Sequence, residues 1–213
     1  MPIDPIQAMK LEERRRVVEA DKQLQASRDR VAELARERIP ERYRSGHAIS
    51  LVFHPDARLK QKCVAVTEFD SELESLATNM LFTMYLCGGV GLAAPQVGDM
   101  RRLIVADWGE KRGAAEVLVN PRVEVESGFV RMTEACLSMP GAKVALTRPE
   151  RITVVFEDLK GHTQARPLDG WPARIVQHEI DHLDGMIMLD RVSRLEKRMA
   201  LKKIGKIARG ERG

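Results

Sequence analysis

Apolar residues recur along this chain first with helical spacing, then in short β-branched runs, then with helical spacing again. From Lys10 to Arg38 the background is densely charged, 9 basic and 7 acidic residues. Val17, Leu24 and Val31 recur every seven positions, with Ala20, Ser27 and Leu34 as companions. That pattern predicts a surface helix with a thin apolar stripe, too short and too polar at Ser27 for a coiled coil, ended by Pro40. Leu73, Leu76, Met80 and Met84 predict a second helix, opened by Ser71 and Glu74 as a capping box. Leu103 to Ala106, Val117 to Val119, Val123 to Val125 and Ile152 to Phe156 read as strands, and Leu159-Lys160-Gly161 as a turn between strands. Ile175, Val176, Ile180 and Leu183 restore the helical period, with Pro172 suited to the first turn and Gly185 to the stop. Val192, Leu195 and Met199 give a last, short apolar face. Helices on either side of a group of strands predict an α+β fold rather than a doubly wound sheet.

Charge changes this picture at the ends of the chain. The segment from Asp190 to Gly213 holds 9 basic and 3 acidic residues, whereas the whole chain of 213 residues carries only +4. Arg194, Lys197, Arg198, Lys202, Lys203 and Lys206 would form a positive surface suited to phosphate contacts, or simply a solvated terminal helix. No apolar run approaches the roughly 20 residues that cross a membrane. The start, Met1-Pro2-Ile3-Asp4-Pro5, lacks the pattern of a secretory signal, so the expected compartment is the cytoplasm.

The chemistry centres on Gln177-His178-Glu179-Ile180-Asp181-His182, a His-Glu-x-x-His run inside the helix predicted to open near Pro172 and stop at Gly185. Two imidazoles four apart face one way and can share a metal ion, while Glu179 lies near enough to handle the proton of an activated water. A catalytic metal site takes three protein ligands and keeps one position open. Cys136, near a strand end in Glu134-Ala135-Cys136-Leu137-Ser138-Met139-Pro140-Gly141, is the best third candidate, with a buried structural cysteine as the plainer alternative. Cys63 and Cys87 sit in no paired-cysteine motif and read as structural. Gly89 to Ala94 matches a dinucleotide fingerprint in letters only. A helical segment precedes it and Pro95 interrupts any helix after it, so no nucleotide cofactor is expected.

These three blocks together resemble the three motifs of the peptide deformylase family. They stand as Gly89 to Gln96, Glu134 to Ser138 and Gln177 to His182, in the family's order and spacing. The resemblance runs from about His47 to about Leu195. It implies mainly antiparallel β-sheets packed around a central metal-binding helix, with helices at both ends of the chain. It implies removal of the formyl group from N-formylmethionyl peptides, with release of formate. The metal ligands would be Cys136, His178 and His182, and the catalytic glutamate Glu179. Gln96 and Leu137 would stabilise the oxyanion, the first by its side-chain amide and the second by its backbone N–H, while Val90 and Gly91 would line the substrate groove. One divalent ion per chain is implied, Fe(II) by the family's habit, with Zn, Ni or Co also compatible with a Cys-His-His set.

Three features depart from the family pattern, one of them Trp171-Pro172 at the entry to the third-motif helix, where a proline suits the first turn. Ala135 replaces a glycine and would be strained if that position needs positive φ. Lys143 stands where many relatives place an arginine that contacts the downstream peptide, which puts a bidentate contact in doubt. The expected organisation is a charged helical extension over 1–46, a catalytic domain over 47–195 and a basic tail over 196–213. That tail is a candidate contact for ribosomal RNA. Bacterial cytoplasm is the expected setting, with an organelle as the alternative. A metallopeptidase or small-amide amidohydrolase using the same helix, or an inactive ribosome-binding relative, are the competing readings.

Overall fold

The computed structural model describes residues 33, 36–109 and 111–208, with the side chains of 206–208 excepted. The heptad pattern predicted from Lys10 therefore lies almost wholly outside the described residues. The chain divides into two units, Met1–Ile39 and Pro40–Gly213. In the first, Glu33, Arg36 and Glu37 are helical, and the Ile39 N–H donates to the Arg36 carbonyl.

The second unit is built on one antiparallel sheet in the order β1 (Gly91–Ala93), β2 (Leu103–Ala106), β3 (Glu116–Ala135), β4 (Lys143–Glu157), β5 (Thr163–Asp169). Three helices accompany it: α1 (Ser71–Leu86), α2 (Gly170–Leu183) and α3 (Arg194–Ala208). The α+β expectation holds, and α2 is the central helix, with every residue from Ala173 to Leu183 buried. Its Ala173, Val176, Ile180 and Leu183 pack with Ile104, Leu118, Ile152, Val154, Phe156 and Leu168 of the sheet. Alternation along β4 turns Ile152, Val154 and Phe156 onto that core.

The long β3–β4 hairpin carries function to its tip. The ladder runs to Ala135↔Lys143, where the chain leaves the sheet and turns through Cys136–Gly141. A second core lies here, with Cys136, Met139, Ala142, Val144 and Leu146 packed against Val52, Leu59 and Ile187–Leu189. The strand runs read at Val117–Val119 and Val123–Val125 are parts of this one strand β3, joined across register shifts beside the positive-φ Asn120. Asn120 is the one non-glycine residue with positive φ among the described residues, so the strain expected at Ala135 does not arise.

Several local readings are corrected. Helix α1 is capped by Asp70, whose Oδ1 accepts from the N–H groups of Glu72 and Leu73, because a carboxylate one residue earlier already satisfies these donors. Cys87 is exposed just past the end of α1 rather than packed, whereas Cys63 is buried in the main core as expected. On α3, Leu195 and Met199 are exposed. Ala200 and Ile204 are the residues packed on the domain, together with Val192 just before the helix. Ion pairs Arg131–Glu196 and Lys197–Asp190 hold the helix in that rotation. Helix α2 ends as read, with Gly185 at φ 71° just beyond it.

Candidate metal centre

Two segments meet at the centre: the turn leaving β3, which brings Cys136, and helix α2, which brings His178, Glu179 and His182. The ligand atoms of Cys136, His178 and His182 lie within 4.8 Å of one another, and all three residues are buried. Cys136 Sγ stands 3.3 Å from His182 Nε2. Donors sharing one tetrahedral ion stand roughly 3.5 Å apart, so a thiolate and two imidazoles so placed fit a divalent cation. Four-residue spacing on one helix accounts for the convergence of the two rings, whose centroids are 5.1 Å apart.

His178 is oriented by its neighbours. Its Nδ1 lies 2.8 Å from Glu134 Oε2, which fixes Nδ1 as the donor and turns Nε2 toward the centre. Burial alone would depress the basicity of His178. Hydrogen bonds to Cys136 and Glu134 outweigh it and raise the pKa well above the ordinary value. His182 moves the other way, lowered by burial and by the neighbouring His178, and its Nδ1 is buried with no hydrogen-bond partner among the described residues. A bound cation is what would let two such imidazoles both serve as neutral donors.

Glu179 is buried, and burial pushes its carboxyl up to about 7. Its Oε2 has no hydrogen-bond partner among the described residues. Gly91 of β1 lies directly against it: a Cβ added there would stand 2.4 Å from Glu179 Oε1, so only glycine fits. Gln96, on the short 3-10 helix after β1, accepts the Ala93 N–H on Oε1 and points Nε2 into the centre, 3.4 Å from Cys136 Sγ and 3.2 Å from Ser138 Oγ. Leu137 follows Cys136, and its side chain covers Gly89.

The structure thus brings together Cys136, His178, His182, Glu179, Gln96 and Gly91, with Leu137 and Val90 adjoining them in sequence. Val90 accepts the Asp107 N–H on its carbonyl. Lys143 is exposed. It pairs with Ala135 across the hairpin and lines a groove of about 240 Å³ with Glu196, Met199 and Lys203 of α3.

Sequence reasoning missed the charged shell beneath the three candidate ligands. Arg148, 2% exposed, donates from Nε and Nη2 to both oxygens of Glu134, at 2.6 and 2.9 Å, and from Nη1 to Asp181 Oδ2 at 2.7 Å. Arg174 adds a 2.6 Å bond to Glu134 Oε1. Although burial works the other way, Arg148 and His178 hold the Glu134 carboxyl far below the usual range. One signal was available: Val144, Leu146 and Arg148 occupy alternate, buried positions of β4, so an arginine stood in an inward register.

The chain is similar to known proteins over most of its length. A family profile described as Polypeptide deformylase matches residues 49–198. A peptide deformylase of Thermodesulfovibrio yellowstonii is 41% identical over 152 residues, covering 70% of this chain and 92% of that protein. One from Dictyoglomus thermophilum is 46% identical over 136 residues, 64% of this chain and 87% of that protein. The crystal structure of a peptide deformylase from Legionella pneumophila aligns with a TM-score of 0.73 at 38% identity, covering 76% of this chain and 96% of that one.

Proposed function

This chain belongs to the peptide deformylase family, and from that premise we propose a role for each residue at the centre. The protein is a metal-dependent hydrolase that removes the formyl group from N-formylmethionyl polypeptides and releases formate. Cys136, His178 and His182 would hold a divalent cation, which when bound would supply Lewis acidity and lower the pKa of its water toward about 7. Glu179 is the general base. Its Oε2, without a partner among the described residues, takes the proton of the attacking water and returns it to the departing amine nitrogen. Gln96 Nε2 and the Leu137 N–H donate to the oxygen that becomes negative on the formyl carbon, a contribution on the order of a hundredfold in rate for one donor. The backbone of Val90 and Gly91 holds the peptide, and Lys143 meets its downstream part as a point charge, without arginine's bidentate fork.

The observation that carries this reading is the convergence of one buried cysteine and two buried histidines beside a buried glutamate. A thiolate as third donor also favours it over a peptidase, whose third ligand would be a histidine or carboxylate. Fe(II) is the proposed native ion, and air inactivation by oxidation of the metal thiolate follows from it. Turnover of formyl-Met-Ala-Ser by anaerobic Fe(II) protein, lost in Cys136→Ala, is the expected result. Activity that survives Cys136→Ala would remove the ligand assignment.

The ends of the chain complete the reading. The extension over 1–46 and the tail over 196–213 flank the catalytic domain. Arg194, Arg198, Lys202 and Lys203 are exposed on α3 and would supply salt-dependent contacts to ribosomal RNA. Among the described residues no helix is long and apolar enough to cross a membrane, and the cytoplasm, where nascent chains emerge, is the proposed setting. Equal ribosome pelleting by the full chain and by a chain ending at Leu195 would remove the RNA contact.

A further inference from the structure

Four buried charged side chains outside the ligand set join the two ligand-bearing segments. Glu134 lies two residues before Cys136, and Asp181 lies immediately before His182. Arg148 binds both, with two bonds to Glu134 and one to Asp181. Arg174 of α2 donates to the Glu134 oxygen that Arg148 Nε also uses, and to the carbonyls of Leu146 and Val130, at 3.2 and 2.7 Å. Arg191 gives Asp181 a second cation, with Nε 2.5 Å from Oδ2.

Burying such a network is poorly explained by stability alone, since well-packed apolar residues often do as well or better. What directional bonds to a planar guanidinium supply is relative position. We propose that Arg148 is a positioning residue for the reaction, fixing the Cys136 turn against helix α2 so that the thiolate and the two imidazoles stand ready for one cation, with Arg174 as a second hold on Glu134. Glu134 transmits the constraint to His178 through the 2.8 Å contact, and Asp181 transmits it to His182 along the helix. This rests on the ligand assignment proposed above.

Arg148→Met tests it in the full-length chain, with Co(II) as the probe ion. Arg174 stays on Glu134 and Arg191 on Asp181, so neither carboxylate loses its last cation and the fold is expected to persist, as circular dichroism would report. The expected result is a Co(II) dissociation constant weakened about 10- to 100-fold. Altered visible bands and a lower kcat at saturating Co(II) accompany it, with KM for formyl-Met-Ala-Ser unchanged. Arg148→Lys keeps the charge without the fork and should fall between. Wild-type affinity and spectrum in Arg148→Met, with only a lowered melting temperature, overturn the proposal. Should Arg148→Met not fold, wild-type affinity and spectrum in Arg148→Lys do the same. A wild-type spectrum without a thiolate band that Cys136→Ser abolishes overturns the ligand assignment and the proposal with it. A thiolate band present in the wild type and unchanged in Arg148→Met overturns the proposal alone.

Discussion

Gly91→Ala is a one-methyl perturbation whose effect can be worked from the structure. The added Cβ would lie 2.4 Å from Glu179 Oε1 and 2.9 Å from both Cδ and Cγ, whereas ordinary contact begins at 3.4 Å. The whole end of the glutamate must therefore move by about 1 Å; rotating the carboxylate does not relieve a clash that also involves Cγ. Glu179 sits in the stretch of α2 from Ala173 to Leu183, all of it buried, so its backbone has little room to yield. A 1 Å misplacement of a reacting group can cost about 100-fold, and overpacking of this kind costs about 1–3 kcal/mol of stability. The backbone at Gly91 is not in the left-handed region, so the effect is steric rather than conformational. Formate release, followed by coupling to formate dehydrogenase, should show kcat reduced about 100-fold while bound metal remains one per chain. A kcat within threefold of wild type would refute the contact between β1 and the Glu179 carboxylate, or its proposed role. Loss of metal would instead place the damage at the ligands.

Gly88 offers the opposite case, with φ 73° and open space around an added Cβ. Gly88→Ala should lower stability by about 1 kcal/mol by chemical denaturation and leave kcat unchanged. Of the three thiols, Cys63 is buried and pushed up to about 11 by that burial, so it carries almost no thiolate at pH 7.5. Iodoacetamide on the metal-loaded protein should label the exposed Cys87 first, and chelation of the metal should add Cys136 but not Cys63, as read by peptide mass spectrometry. Asp190 accepts from Lys60, Lys197 and the Ile187 N–H, and these outweigh burial to hold its pKa below the ordinary value. Its contribution is complete above the unfolded carboxylate pKa of about 4 and is lost as pH falls through the lower folded value. Asp190→Asn should therefore cost, after solvent screening of these accessible pairs, about 0.5–1 kcal/mol at pH 7 and progressively less below pH 4 in urea titrations.

Local period and chemistry were legible in the sequence where one short segment decides them. The strand Leu103–Ala106 and the helix from the capping region to Leu86 were read close to their bounds, and the candidate ligands Cys136, His178 and His182, with Glu179, came from motifs that the fold then brought together. What escaped depends on partners far apart in the chain. The 20 residues of β3 contain Pro121, Asn120 and Gly128, which locally signal turns, and continuous pairing with β4 overrides them across register shifts. β5, Thr163–Asp169, has one buried residue and a proline, so no alternating pattern marks it; its ladder to β4 defines it. The rotation of α3 was misread because Leu195 and Met199 are more apolar than Ala200, while the surface beneath accepts the smaller side chain. Arg148 is the sharpest instance, since only the meeting of Glu134 with Asp181 gives a buried cation there its reason.

The most direct test of the account is formate release from formyl-Met-Ala-Ser under anaerobic conditions, with wild type and Glu179→Ala each loaded with Fe(II), Ni(II) or Zn(II) to one ion per chain. The account predicts turnover in the wild type and its collapse in Glu179→Ala with metal still bound. No turnover at full occupancy, or equal turnover in the two proteins, would contradict it.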